Sequence, residues 1–156
     1  MVGVPITPAI QAATALGLDF EATQHDGPLT SLPEAAAARG VDVNDLVKTL
    51  VVRRGPDDYV FVLVPGVGTF SWPKLRAWLG VSRISMPDAE TAQAVTGYVR
   101  GTITPLGATT AWPVIADASI QGRRISIGGG APGVGITLDA DALLAALGAD
   151  VADLLS

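Results

Sequence analysis

The chain has 156 residues, 49% hydrophobic and 16% charged, with ten basic side chains against fifteen acidic ones and a formal net charge of −5. That length suits one domain with its own core, and the acidic balance argues against a broad phosphate-neutralising face while leaving room for a small basic pocket. Cysteine is absent, which removes disulfides, thiolate metal sites and cysteine nucleophiles together.

Thr7 before Pro8 reads as an N-cap with proline at the first helical position; Ile10, Ala13 and Leu16 then form one apolar face, and Gly17 ends the helix. A second short helix opens at Ser31, with Glu34 at capping-box spacing, and stops near Gly40. "LVKTLVVRR" and "YVFVLV" are β-branched runs separated by "GPDD", the pattern of paired strands joined by a turn. "WPKLRAWLG" and "DAETAQAVTG" have helical character and close at Gly80 and Gly97. "WPVIA", "RRISI" and "GITL" read as strands, and a last helix opens at Asp139 with Leu143, Leu144 and Leu147 on one stripe. Strands and helices mix without βαβ alternation, so the expected fold is mixed α/β: a single domain over residues 1–156, with a curved, largely antiparallel sheet flanked by helices. No apolar run approaches the ~20 residues that span a bilayer, and no basic segment precedes a hydrophobic N-terminal stretch. A soluble, cytoplasmic domain is the expectation.

"GGGAPGVG" contains Gly128, Gly130 and Gly133 in G-x-G-x-x-G spacing. A dinucleotide fingerprint needs that turn to open a helix whose N-terminus holds the pyrophosphate. Here the turn leads into Val134 to Leu138, a β-type run, so the glycines read as a hairpin whose bare backbone can approach a ligand. Other catalytic signatures are missing: there is no H-E-x-x-H, G-x-S-x-G or G-x-x-x-x-G-K. The single histidine, His25, lies in the polar stretch "TQHDGP", where a solvated loop histidine is the plainer reading. A histidine-rich metal site cannot be built, and no metal or cofactor is expected.

Lys48 sits inside the apolar run "LVKTLVV". Alternation places it with Leu46, Leu50 and Val52, opposite Val47, Thr49 and Val51. It is either an edge-strand lysine with its head in water or a cation at a cleft mouth, ready for phosphate or carboxylate. "TGYVRGTITPLG" then packs Gly97, Gly101, Pro105 and Gly107 into an irregular loop with unshielded N–H groups, the raw material of an oxyanion or phosphate nest.

In order and spacing, "LVKTLVV", "VTGYVRGTITPLG", "VIADAS" and "ISIGGGAPGVGITLDADALLAALGADVADL" resemble the YbaK family, free-standing relatives of the editing insertion of bacterial prolyl-tRNA synthetase. The resemblance runs from about "TQHDGP" to the C-terminus. It implies a pocket for the aminoacylated 3′ end of tRNA(Pro) and clearance of a mischarged amino acid; prolyl-tRNA synthetase is a further implied partner, with neither DNA nor membrane. By this resemblance Lys48 anchors the terminal nucleotide or its phosphate, and Gly101 offers its N–H to the ester carbonyl. Gly97, Pro105 and Gly107 shape that loop, and Gly129, Gly130 and Gly133 wall the pocket. Thr49, Thr102, His25 and Asp117 complete the implied substrate-binding set. "ITPLG" is closer to the cysteine-directed branch, in which the substrate's own thiol attacks its carbonyl. Two other readings stand beside it: a non-catalytic relative that binds an aminoacyl end or nucleotide, and a small-molecule hydrolase or isomerase using His25 with Asp26 or Asp117.

Overall fold

The computed structural model describes residues 4–25 and 31–156. Local chemistry sets most helix ends. In α1 (Pro8–Ala15) the Thr7 hydroxyl accepts from the Ile10 N–H at 3.1 Å. The buried face is carried by Ala9 and Ala13, four residues apart, while Leu16 lies outside the helix at 47% exposure, so the expected Ile10–Ala13–Leu16 stripe is rotated. After β1 (Phe20–Gln24), α2 (Leu32–Arg39) runs from the Ser31 cap to Gly40 at φ 68°. The strands β2 (Val47–Gly55) and β3 (Asp58–Pro65) pair antiparallel. The helices α3 (Trp72–Leu79) and α4 (Ala89–Thr96) end at Gly80 and Gly97, both with positive φ. There follow β4 (Val114–Asp117), β5 (Arg124–Gly128), β6 (Val134–Asp139), α5 (Ala140–Leu147) and β7 (Asp150–Ala152). The Asp139 carboxylate accepts from the Ala142 N–H at 2.9 Å and caps α5.

The mixed α/β architecture is as expected, with the sheet divided in two. One sheet has the order β1-β6-β5 and is antiparallel; the other has the order β2-β3-β4-β7, with β3·β4 and β4·β7 parallel. A parallel bridge between Leu46 and Ser126 links the two. Val47, Val51, Phe61 and Leu63 face Ile125, Ile127, Ile136 and Leu138 in the core between the sheets. Val52, Val60, Val62 and Ile115 face the other way, toward Leu75 and Leu154. Strand alternation therefore sets Lys48 on the face of Leu50 and Val52, as the sequence predicts. Among the described residues, no helix is long and apolar enough to cross a membrane.

Tyr98 connects this core to the loop after α4. Its hydroxyl donates to the Leu106 carbonyl at 2.7 Å, and burial pushes the phenol up to about 12. Below pH ~10 the folded and unfolded chains both keep this proton. Between about 10 and 12 only the unfolded chain releases it, so stability contributed by the neutral phenol is lost as pH rises through that window. Denaturant titrations across it are expected to show the decline in wild type and a smaller one in Tyr98→Phe.

Candidate active site

The strand β2 is the edge of its sheet, and its outer side is closed at two points. At one end Leu46 bridges to Ser126; at the other Arg53 exchanges backbone bonds of 2.8 and 3.1 Å with Ser85. Between those points lies a cleft of about 730 Å³, lined by every residue from Leu46 to Val51. A run of consecutive residues can line a cavity only along a strand's edge, since side chains alone would alternate. The volume falls within the range of small-molecule sites. Arg39 comes from α2, Asp88 and Ala92 from the α4 region, Gly101 and Ile103 from the loop after α4, and Gly128 from the end of β5.

That loop is tied down at several places, leaving its tip at the cleft. Gly97 turns at φ 82°, with Thr109 packed where a side chain would be. Gly107, at φ 69°, lies against the Pro8 carbonyl. The Thr102 N–H and hydroxyl both bond the Val99 carbonyl, and the Thr102 carbonyl accepts from the Gly130 N–H at 3.2 Å. Gly101 sits between these ties, exposed, at φ 89°, with open space around its Cα. Among the described residues its N–H has no backbone acceptor.

Lys48, Thr49 and Gly101 thus share one cleft. The remaining candidate residues are not among those lining it, for identifiable reasons. Gly97, Thr102, Pro105 and Gly107 belong to the loop's supports, with Thr102 and Pro105 buried. The wall expected from Gly129, Gly130 and Gly133 shifts to Gly128, whose Cα approaches the Ile103 carbonyl. The Gly129 carbonyl accepts from the Thr7 hydroxyl at 2.6 Å, and Gly130 packs on the Tyr98 ring. Gly133 lies against His25, whose N–H donates to its carbonyl at 3.1 Å. His25 accordingly ends β1 beside the glycine hairpin; Asp26, its partner in the hydrolase reading, lies outside the described residues.

Asp117 is likewise not among the residues lining the cleft. It is 2% exposed, and its carboxylate accepts from the Leu154 N–H at 2.8 Å and from the Ser119 N–H and hydroxyl. It pins the C-terminal segment to β4 and caps a turn. Asp117→Ala leaves a buried N–H unpartnered and is expected to destabilise the fold by about 2 kcal/mol, read by denaturant melts, with ligand affinity of the cleft retained.

Sequence reading missed Arg39, Arg100 and Gly128. Arg100 was visible beside Gly101, but nothing local marks Arg39, which reaches the cleft only through tertiary packing. Arg39, Lys48 and Arg100 stand against one carboxylate, Asp88, so the cleft is cationic in a chain of net charge −5. Asp88 is engaged as the α4 cap, accepting from the Thr91 N–H at 2.8 Å, and that bond holds its carboxyl below the usual range. Lys48 and Arg100 have no ion pair among the described residues. Two polar atoms of cleft residues, Arg39 Nε and Thr49 Oγ1, are buried without a hydrogen-bond partner among the described residues. Among the described residues, no group of three potential metal ligands occurs.

Residues 26–146 match the family model for the aminoacyl-tRNA editing domain. The chain is 31% identical over 106 residues to a proline–tRNA ligase of Thermosipho melanesiensis, an alignment covering 68% of this chain and 18% of that enzyme. It therefore spans under a fifth of the ligase. It is 28% identical over 115 residues to EbsC of Enterococcus faecalis, described as a candidate Cys-tRNA(Pro)/Cys-tRNA(Cys) deacylase, covering 73% of this chain and 70% of that one. A solved structure described as a candidate trans-editing enzyme for prolyl-tRNA synthetase superposes with a TM-score of 0.87 at 26% identity, over 97% of this chain and 99% of the other.

Proposed function

This chain belongs to the aminoacyl-tRNA editing domain family, and from that premise we propose that it is a trans-editing deacylase that clears mischarged tRNA(Pro), with Cys-tRNA(Pro) as its substrate. The observation that carries the proposal is the cationic cleft of about 730 Å³ lined by Lys48 and by Gly101, whose N–H has no backbone acceptor among the described residues. An aminoacyl ester is already activated, so its hydrolysis needs a held substrate and a polarised carbonyl more than a nucleophile from the protein.

In this reading Lys48 holds the terminal nucleotide, and the Gly101 N–H donates to the ester carbonyl oxygen as negative charge develops there. The attacking group is the substrate's own thiol or a water molecule; the ester C–O bond breaks and the 3′ oxygen of the terminal ribose leaves with a proton. Histidine and cysteine chemistry is not required, consistent with a chain that has one histidine and no cysteine. The rest of the tRNA, and any prolyl-tRNA synthetase that carries it, would supply affinity that a chain of net charge −5 lacks outside the cleft. A panel of Cys-, Ala- and Pro-tRNA(Pro) tests the substrate assignment: the cysteinyl ester is expected to be cleared first. Preferential clearance of the alanyl ester would reassign the side chain, and no clearance of any ester would leave a binding module.

A further inference from the structure

The start of α1 touches both the loop after α4 and the glycine hairpin, and the mechanism above does not use it. Thr7, the N-cap, is buried, and its hydroxyl bonds in two directions. The oxygen accepts from the Ile10 N–H at 3.1 Å, and the proton is donated to the Gly129 carbonyl at 2.6 Å, across 122 residues of chain. The next two residues reach the same region. Pro8 stands against Gly107 of the loop after α4, and the Ala9 methyl lies 3.3 Å from where a Cβ on Gly130 would be. Ala9 and Ala13 are fully buried, and side chains this small let the helix approach the two loops at close-packed distance.

From Gly129 the connection runs on to the tip of the loop. The Gly130 N–H donates to the Thr102 carbonyl at 3.2 Å, and the Thr102 N–H and hydroxyl both return to the Val99 carbonyl. Arg100 and Gly101 are therefore the central residues of a tight turn, with Gly101 at φ 89°, the positive value a type II turn requires at that position. A side chain at Gly101 would meet nothing, so the direction of its N–H is set by the ends of the turn. Glycine has more conformational freedom to lose than any other residue, so those ends must be held firmly. Resting on the deacylase reading, we infer that Thr7 is a positioning residue for the Gly101 N–H. It pins the hairpin at Gly129, the hairpin holds Thr102 through Gly130, and Thr102 closes the turn that presents the donor. Such a donor accelerates reaction only as far as it is already oriented when charge develops on the carbonyl oxygen.

The test compares three variants. Thr7→Val removes both hydroxyl bonds at nearly constant volume, Thr7→Ser keeps both, and Asp139→Ala removes a cap of the same kind from α5. By NMR relaxation the Gly101 N–H is expected to be rigid in wild type, with an order parameter of about 0.85, and to fall below about 0.6 in Thr7→Val. Amide exchange at Gly130 should quicken about tenfold in the same variant. Its kcat for the mischarged ester should fall about tenfold with KM changed by less than about twofold, since substrate still meets Lys48 while the donor is misaimed. Thr7→Ser should keep wild-type values throughout. Asp139→Ala should lower the melting temperature by about 3 °C, as Thr7→Val does, yet leave Gly101 order and kcat unchanged. Thr7→Ala asks the same questions should Thr7→Val fail to fold. Unchanged order at Gly101 without the Thr7 hydroxyl, an equal change in Asp139→Ala, or a kcat that holds while the amides loosen would each overturn the assignment. Relaxation and exchange need no turnover. Should Gly101 loosen as expected while wild type clears no ester, the link from Thr7 to Gly101 stands and the deacylase reading falls.

Discussion

Lys48→Ala is expected to lower kcat/KM for the mischarged ester by roughly a hundredfold, the usual scale for losing one preorganised charge at a developing or bound anion. Stability should change by no more than ~0.5 kcal/mol, because Lys48 is exposed and has no ion pair among the described residues. The pairing of the two results carries the argument: activity falls while the melting curve stays in place. Lys48 is also an edge-strand lysine, on the strand that lines the cleft. The edge it protects from other strands is the edge that lines the cleft. A Lys48→Arg variant that keeps the charge should recover part of the loss.

Gly107→Ala is expected to cost about 3 kcal/mol, combining positive φ with a clash that cannot relax. Its Cβ would stand 2.3 Å from the Pro8 carbonyl oxygen and 2.6 Å from the carbonyl carbon, backbone at the start of α1. For a chain of this size that corresponds to a fall in melting temperature of about 10 °C. Gly101→Ala is the control, since it has similarly positive φ but open space around it. It should cost only about 1 kcal/mol. A similar loss at both positions would mean that the loop is not seated on α1 as described. Thermal melts of the two variants decide the matter, and they separate the glycine that anchors the loop from the one that presents its tip.

What could be read from the chain divides along physical lines. Helix ends were legible because caps are local: Thr7, Ser31 and Asp139 each accept the N–H three residues ahead, and Gly40, Gly80 and Gly97 turn left-handed. The hairpin of β2 and β3 was legible from its β-branched runs. Two strands were not anticipated. Phe20–Gln24 has little alternation of burial and forms by pairing with β6, and Asp150–Ala152 is three residues held in parallel register by β4. Their signal lies in the partner, not in the segment. The division into two sheets also depends on tertiary contact, with the Leu46–Ser126 bridge as its only strand-like link among the described residues.

The site shows the same division. Lys48 and Gly101 stand in motifs that stand out within a few residues of sequence, and the fold sets both on one cleft. Gly129, Gly130 and Gly133 share a motif with Gly128, yet only Gly128 faces the cavity. The hairpin turns the others toward Thr7, Tyr98 and His25. Asp117, implied by the resemblance as a substrate-binding residue, accepts from three donors of its own fold. Arg39 had no sequence signal, because its position depends on the missing side chain of Gly135, nearly a hundred residues away.

The most direct test of the central claim is clearance of Cys-tRNA(Pro) and Pro-tRNA(Pro) by wild type under identical conditions, followed by acid-gel or filter assay of the remaining ester. An editing deacylase working at this cleft discharges the cysteinyl ester and spares the prolyl one. Equal stability of both esters at high protein concentration, in a sample whose melting curve shows it folded, would contradict the account.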